Sequence, residues 1–206
     1  MFTLVIGSKN LSSWSLRPWL ALKMLGEPFE EVLIPLGRAD SKQQILAYNP
    51  AGKVPFLRDR QLAVWDSLAI CEYLADCFPG KLWPLDAAQR AEARSMVAEM
   101  HSSFTALRQE LPMNVTASLP GKPLSDAALA DIERIVDLWE HQLERNQTQG
   151  PFLFGEFSIA DAFFAPVVWR FHTYHVALPA LSARYAAHLR ALPAMQQWLA
   201  EAEAEG

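Results

Sequence analysis

The sequence predicts a small α/β domain over residues 1–79 followed by an all-helical domain over residues 87–206. Three observations predict it. As far as Phe78, apolar runs rich in β-branched and aromatic residues alternate with helix-period segments in the order β-α-β-α-β-β-α. Pro79, Gly80 and Pro84 then interrupt regular structure, giving a linker at 80–86. Beyond Asp86 the apolar residues recur at three and four positions, which is the spacing of helices.

The first element is Thr3-Leu4-Val5-Ile6, a buried strand. A turn rich in hydroxyls follows, with Ser8, Ser12, Ser13 and Ser15, and it opens a helix that runs to Leu25 and stops at Gly26. Pro18 fits only the first turn of a regular helix, so the helix either begins near Ser15 or opens with a distorted turn. Both alternatives leave Ser12 and Ser13 at the positive end of the helix. A serine there caps the free amides, or it helps hold an anion or a thiolate. Glu31-Val32-Leu33-Ile34 is a second strand, parallel to the first through a right-handed crossover. Ser41–Tyr48 suits a short helix.

The segment Asn49-Pro50-Ala51-Gly52-Lys53-Val54-Pro55 is a constrained turn whose last X-Pro bond can be cis. Pro55 cannot donate to a ladder, so the strand it opens starts at an edge or after a kink. With Leu62-Ala63-Val64-Trp65 this strand forms a hairpin. Asp66 and Ser67 then cap a helix carrying Leu68, Cys71, Leu74, Ala75 and Phe78.

In the helical half, Met96, Val97, Met100, Phe104, Leu107 and Leu111 form one stripe. Leu129, Ile132, Ile135, Val136, Trp139 and Leu143 form another, capped by Ser125. Ser158-Ile159-Ala160-Asp161 has the form of a capping box, with Asp161 a folding residue rather than a catalytic carboxylate. Helices near 180–189 and 194–204 complete the chain.

Composition narrows the function. The 206 residues are 51% hydrophobic and 20% charged, with a net charge of −5 that disfavours nucleic acid as the main partner. No apolar run reaches the length of a membrane span, and the first residues lack the pattern of a signal peptide, so a cytoplasmic setting is expected. Cys71 and Cys77 fall on different faces of one helix and form no Cys-x-x-Cys motif. Both read as small buried hydrophobes, and no metal or dithiol centre is expected. His172 and His175 share a helix but have no evident third ligand.

Taken in order, the Ser-rich turn with Ser15-x-Arg17, Asn49-Pro50-x-Gly52-Lys53-Val54-Pro55, Asp66-Ser67, the Phe78–Asp86 linker and Ser158–Asp161 resemble the glutathione S-transferases along essentially the whole chain. Ser12-Ser13-x-Ser15-x-Arg17 is most similar to the serine-type classes, the zeta class in particular, although Trp14 stands where the zeta pattern has cysteine. The resemblance implies a thioredoxin-like first domain, a homodimer and a detoxifying transferase using glutathione as co-substrate.

It also implies roles. Ser12, the first of the pair, or Ser13 donates a hydrogen bond that keeps the glutathione sulfur ionised. The Val54 backbone, exposed by Pro55, pairs with the cysteinyl backbone in strand-like capture. Asp66 takes the γ-glutamyl ammonium, Ser67 with its helix amides takes the neighbouring carboxylate, and Lys53 reaches the glycyl carboxylate. Arg17 is read as structural or domain-bridging. A small hydrophobic electrophile is expected between the domains, against Met100, Phe104 and Leu107 on one helix and Trp169 and His172 on another. Two further readings share this architecture: a glutathione-dependent isomerase or dehalogenase, and a non-catalytic transferase-like adaptor.

Overall fold

The structure is a computed structural model and describes residues 1–205. Its first half comprises β1 (Phe2–Gly7), α1 (Ser13–Leu25), β2 (Phe29–Ile34), α2 (Ser41–Tyr48), β3 (Phe56–Asp59), β4 (Leu62–Trp65) and α3 (Ser67–Cys77). The sheet order is β2-β1-β3-β4; β1 and β2 run parallel, and the other pairs are antiparallel.

Alternation along β1 divides the core between the two faces of the sheet. Leu4 and Ile6 face Leu16 and Leu20 of α1 and Ile70 and Leu74 of α3. Val5 faces the other way, joining Ile34, Phe56 and Ile45 of α2. Both faces are thus covered, as a sheet with a parallel pair requires.

The second half is helical: α4 (Ala87–Ser102), α5 (Thr105–Glu110), α6 (Asp126–Asn146), α7 (Ile159–Thr173), α8 (Ala180–Ala191) and α9 (Pro193–Ala204). The axis of the molecule is α7, buried at every position but His172 and packed against α1, α4 and α8. Its sequence is apolar nearly all round, as such a central helix demands. A second tie between the halves runs through Lys9. This lysine is only 3% exposed, ion-pairs with Glu31 and Glu201, and lies between the Trp19 and Trp198 rings, 5.6 Å from each centroid. Trp198 Nε1 donates to the Lys9 carbonyl at 2.8 Å.

Three local expectations need correction. The Met96–Leu111 stripe is not one run: it breaks between α4 and α5, where Phe104 adopts φ +62°. The break is sealed by Arg108, whose guanidinium donates to the Ser103 carbonyl at 3.0 Å and to the Met100 carbonyl. Those are acceptors that a helix end leaves free. Helix α1 begins at Ser13 rather than near Ser15, and it holds Pro18 inside it, beyond the first turn. Cys77 is exposed while Cys71 is buried; six positions along a helix carry a side chain to another face, which here is the outer one.

Candidate functional site

A cleft of about 680 Å³ opens beside the start of α1. One wall is built from the turn before β3 and the start of α3, and it brings together Lys53, Val54, Pro55, Asp66 and Ser67. The Val54–Pro55 bond is cis. Asn49 holds this turn in shape: its Nδ2 donates to the Lys53 carbonyl at 2.7 Å, and its Oδ1 accepts from the Ala51 amide at 3.0 Å. Asn49 is 2% exposed, so Asn49→Ala removes two sheltered bonds that nothing else replaces. The expected cost is about 1–2 kcal/mol of stability, read by chemical denaturation, with a weaker hold on whatever ligand the turn contacts.

Asp66 sits at φ +76°, outside the range comfortable for a residue with a Cβ, and its carboxylate accepts from the amides of Leu68 at 2.8 Å and Ala69 at 3.4 Å. Such backbone strain is retained where the surroundings force it, and it concentrates at ligand sites. Ser67, the first residue of α3, is buried. Behind it lies Arg17, fully buried, with Nη1 at 3.5 Å from Ser67 Oγ and its guanidinium 4.3 Å from the Trp14 ring and 4.5 Å from the Phe163 ring. Arg17 Nε and Nη2 have no partner among the described residues. Burial first, and the Arg108 charge second, hold the Arg17 guanidinium well below its usual pKa.

The two serines point in different directions. Ser12 caps α1: its Oγ accepts from the Ser15 amide at 3.4 Å and pairs with Ser15 Oγ at 2.7 Å, while Ser15 Oγ accepts from the Gly7 amide at 3.1 Å. Ser13 Oγ accepts from Arg170 Nη2 of α7 at 3.3 Å. Both are buried and neither forms part of the cleft wall, whereas Trp14, the next residue, does.

The expected electrophile pocket is not where the apolar stripe placed it. Met100, Phe104, Leu107 and Trp169 are between 0% and 5% exposed and belong to the main core. His172 lines a separate groove of about 400 Å³ with His175 and Arg190. A helical stripe records which face is buried, and here that burial is against other helices.

The helical half contributes a different residue to the cleft, His101, one position beyond the stripe. Its Nε2 lies 3.4 Å from Asp66 Oδ2, and its ring meets Trp14 edge-on at 5.3 Å. Burial holds its pKa below the usual histidine value; the Asp66 carboxylate opposes that shift, and the Arg17 and Arg108 charges add to it. Sequence reasoning passed over His101, Trp14 and Trp65. The available signal was a polar aromatic at an off-stripe position. Among the described residues no three His, Cys, Asp or Glu side chains gather as a metal site requires.

Comparison with known proteins gives concordant matches. The family model described as the glutathione S-transferase N-terminal domain matches residues 11–77, and that described as the C-terminal domain matches residues 122–201. Glutathione S-transferase T1 of Arabidopsis thaliana is 31% identical over 170 residues, which are 78% of this chain and 69% of that protein. Glutathione S-transferase GstB of Escherichia coli K12 is 27% identical over 175 residues, 81% of this chain and 82% of that protein. A crystal structure of a glutathione transferase homologue from Burkholderia with bound glutathione superposes with a TM-score of 0.75 at 24% identity, covering 100% of this chain and 99% of that one; the fold is shared.

Proposed function

The chain belongs to the glutathione S-transferase family, and from that premise we propose that it binds glutathione in the cleft beside α1 and activates its thiol with a serine hydroxyl. The observation that carries this reading is the convergence of the cis Val54–Pro55 turn and the strained Asp66–Ser67 helix start on one cleft, next to the Ser12–Ser13 end of α1. The Val54 backbone takes the cysteinyl backbone, Asp66 the ammonium, Ser67 and the α3 amides the γ-glutamyl carboxylate, and Lys53 the glycyl carboxylate. The enzyme is of the serine type, nearest the zeta class, and acts as a homodimer in the cytoplasm.

The energetics are sufficient. A free thiol titrates near 8.5, and lowering that by two requires about 2.7 kcal/mol of selective stabilisation of the anion. A sheltered helix N-terminus supplies up to about 2 kcal/mol, and a hydroxyl bond to a charged acceptor about 1.5–3 kcal/mol. The serine donates a hydrogen bond and forms no covalent intermediate. The thiolate then attacks a hydrophobic electrophile that rests against the aromatic faces of Trp14 and Trp65, which border the same cleft as His101.

The test is retention on immobilised glutathione with elution by free glutathione, followed by ultraviolet titration of the bound thiolate. The expected result is retention and a bound thiol titrating near pH 6.5. A protein that is not retained is an adaptor on the same fold. A protein that is retained but leaves the thiol near 8.5 binds glutathione without activating it.

A further inference from the structure

The fold uses one oxygen of the Asp66 carboxylate and leaves the other over. Oδ1 accepts from the Leu68 amide at 2.8 Å and the Ala69 amide at 3.4 Å, which caps α3. Oδ2 lies 3.4 Å from His101 Nε2 of α4, and both residues line the cleft. That separation suits a charged pair but is longer than a firm hydrogen bond, and an acceptor oxygen has room for a second donor. The ammonium assigned to Asp66 therefore meets the same oxygen that His101 faces. A group from the helical half stands at a ligand contact made by the first half.

The surroundings of His101 fix which nitrogen carries its proton. Its Nδ1 is buried with no partner among the described residues. A proton there would be an N–H without an acceptor, while Nε2 would turn a lone pair on a carboxylate. The uncharged ring therefore holds its proton on Nε2, aimed at Asp66. A second proton adds a buried, unanswered N–H at Nδ1 and a full charge beside Oδ2. The start of α3 brings the Asp66 carboxylate to the ring, α1 brings Arg17, and α5 brings Arg108. Trp14 of α1 meets the ring edge-on at 5.3 Å, α7 brings the uncharged Phe163 ring at 6.1 Å, and Lys53 lines the same cleft. Burial is the largest influence on the titration and opposes charging; Asp66 favours it, and the two arginines oppose it. An ammonium on Oδ2 is one more positive neighbour, acting in the same direction as the arginines.

We propose that His101 is the positioning residue for the ligand's ammonium and makes the cleft sensitive to pH. Uncharged, it donates Nε2–H to Asp66 Oδ2 and holds that oxygen for the ammonium. Protonated, it takes the oxygen for itself and repels the ammonium. This rests on the assignment of the γ-glutamyl ammonium to Asp66 in the reading above, and is independent of how the thiol is activated. Ammonium binding and His101 protonation oppose each other, and the opposition is reciprocal. Affinity is therefore full where the ring is uncharged and falls as pH drops through its titration, with a proton released on binding there.

The experiment uses S-methylglutathione, whose blocked sulfur cannot ionise, so the thiol adds nothing to the pH profile. Its affinity is measured by calorimetry from about pH 5 to 7, in buffers of different ionisation enthalpy, for the parent protein, His101→Gln, His101→Phe and Asp66→Asn. The parent is expected to bind about threefold to tenfold more weakly at pH 5 than at pH 7, and to release a proton on binding at the acid end. His101→Phe keeps a ring against Trp14 but offers no donor: the pH dependence disappears and affinity at pH 7 falls about threefold. His101→Gln restores a donor that cannot be charged, so it recovers the affinity at pH 7 and keeps the profile flat. In the parent, an analogue with hydrogen in place of the amine is bound with a flat profile. A pH dependence that survives in His101→Gln or with the amine-free analogue overturns the proposal, as does a flat profile for S-methylglutathione in the parent. The analogue needs no substitution, so it decides the matter even if a His101 variant fails to fold. Asp66→Asn tests the premise separately and is expected to weaken binding at pH 7 by about tenfold. An Asp66→Asn variant that binds like the parent removes the ammonium assignment, and the role of His101 falls with it; a weakened Asp66→Asn beside a flat parent profile removes the role of His101 alone.

Discussion

Asp161→Ala is expected to remove roughly 3–5 kcal/mol of folding stability, the largest loss of any single substitution considered, and to lower Tm by about 10 °C or more. The carboxylate is fully buried and gathers four donors: the Leu153 amide at 3.1 Å, the Ser158 amide at 2.8 Å, Ser158 Oγ at 3.1 Å and Tyr185 Oη at 3.2 Å. It therefore joins the capping box of α7, the loop before that helix, and α8. Alanine leaves two backbone amides buried without acceptors, and each such group costs about 1–3 kcal/mol. A loss below about 1 kcal/mol in denaturant titration would show that the loop re-pairs these groups.

The same residue has a signature in pH. Burial raises the Asp161 pKa to about 6 even though all four donors oppose the rise. The folded chain then holds this proton more tightly than the unfolded chain, whose aspartate titrates near 3.9. A raised carboxyl contributes stability that is complete below the unfolded value and lost as pH climbs through the folded one. Between about pH 4 and 6 this site should therefore reduce stability as pH rises, by roughly 3 kcal/mol in all. The net charge remaining at neutral pH is carried by the four donors, which is why removing the acceptor is costly. Asp161→Ala should flatten this part of the stability profile, and an unchanged slope in the variant would assign the proton elsewhere.

How far the chain could be read follows from the range of each interaction. The caps at Ser125, Ser158 and Asp66 were legible because a cap and its amides lie within three residues. The turn carrying Val54 and Pro55 was legible for the same reason: proline and glycine restrict their own backbone. The identity of the cleft's far wall was not legible. Met100 and His101 are adjacent, and which of them faces a cavity depends on how α4 sits against α7 and α1, a long-range matter. Periodicity correctly marked Met100 as facing inward, and inward proved to be core. The break at Phe104 was hidden because Arg108, which satisfies the freed carbonyls, comes a full turn later. Arg17 was hard to place because a lone arginine is rarely buried whole.

Arg17 supplies the second large effect, and it separates stability from function. Arg17→Met is expected to leave stability within about 1 kcal/mol of the parent or raise it, while weakening glutathione binding by about tenfold to a hundredfold. On the stability side, the guanidinium is buried with two nitrogens unpartnered and no carboxylate at ion-pair distance. A buried charge without a partner is costly, and its attraction to the Trp14 and Phe163 rings, up to about 2 kcal/mol each, offsets only part of that. Methionine fills similar space between the rings without the desolvation penalty. On the binding side, Arg17 Nη1 lies behind Ser67, where the γ-glutamyl carboxylate is proposed to sit. Two hydrogen-bond lengths in series put that carboxylate about 6 Å from the guanidinium. At an effective dielectric of about 20 the attraction is about 2.8 kcal/mol, a hundredfold in affinity, and partial exposure of the cleft reduces it toward tenfold. A site that keeps a costly, half-satisfied arginine behind its ligand-binding wall is giving up stability for recognition of an anion. Calorimetric titration of glutathione beside denaturant unfolding of the same variant distinguishes the two roles. A fall in stability above about 3 kcal/mol with unchanged affinity would make Arg17 a packing residue, and the carboxylate would have to be held by the α3 amides alone.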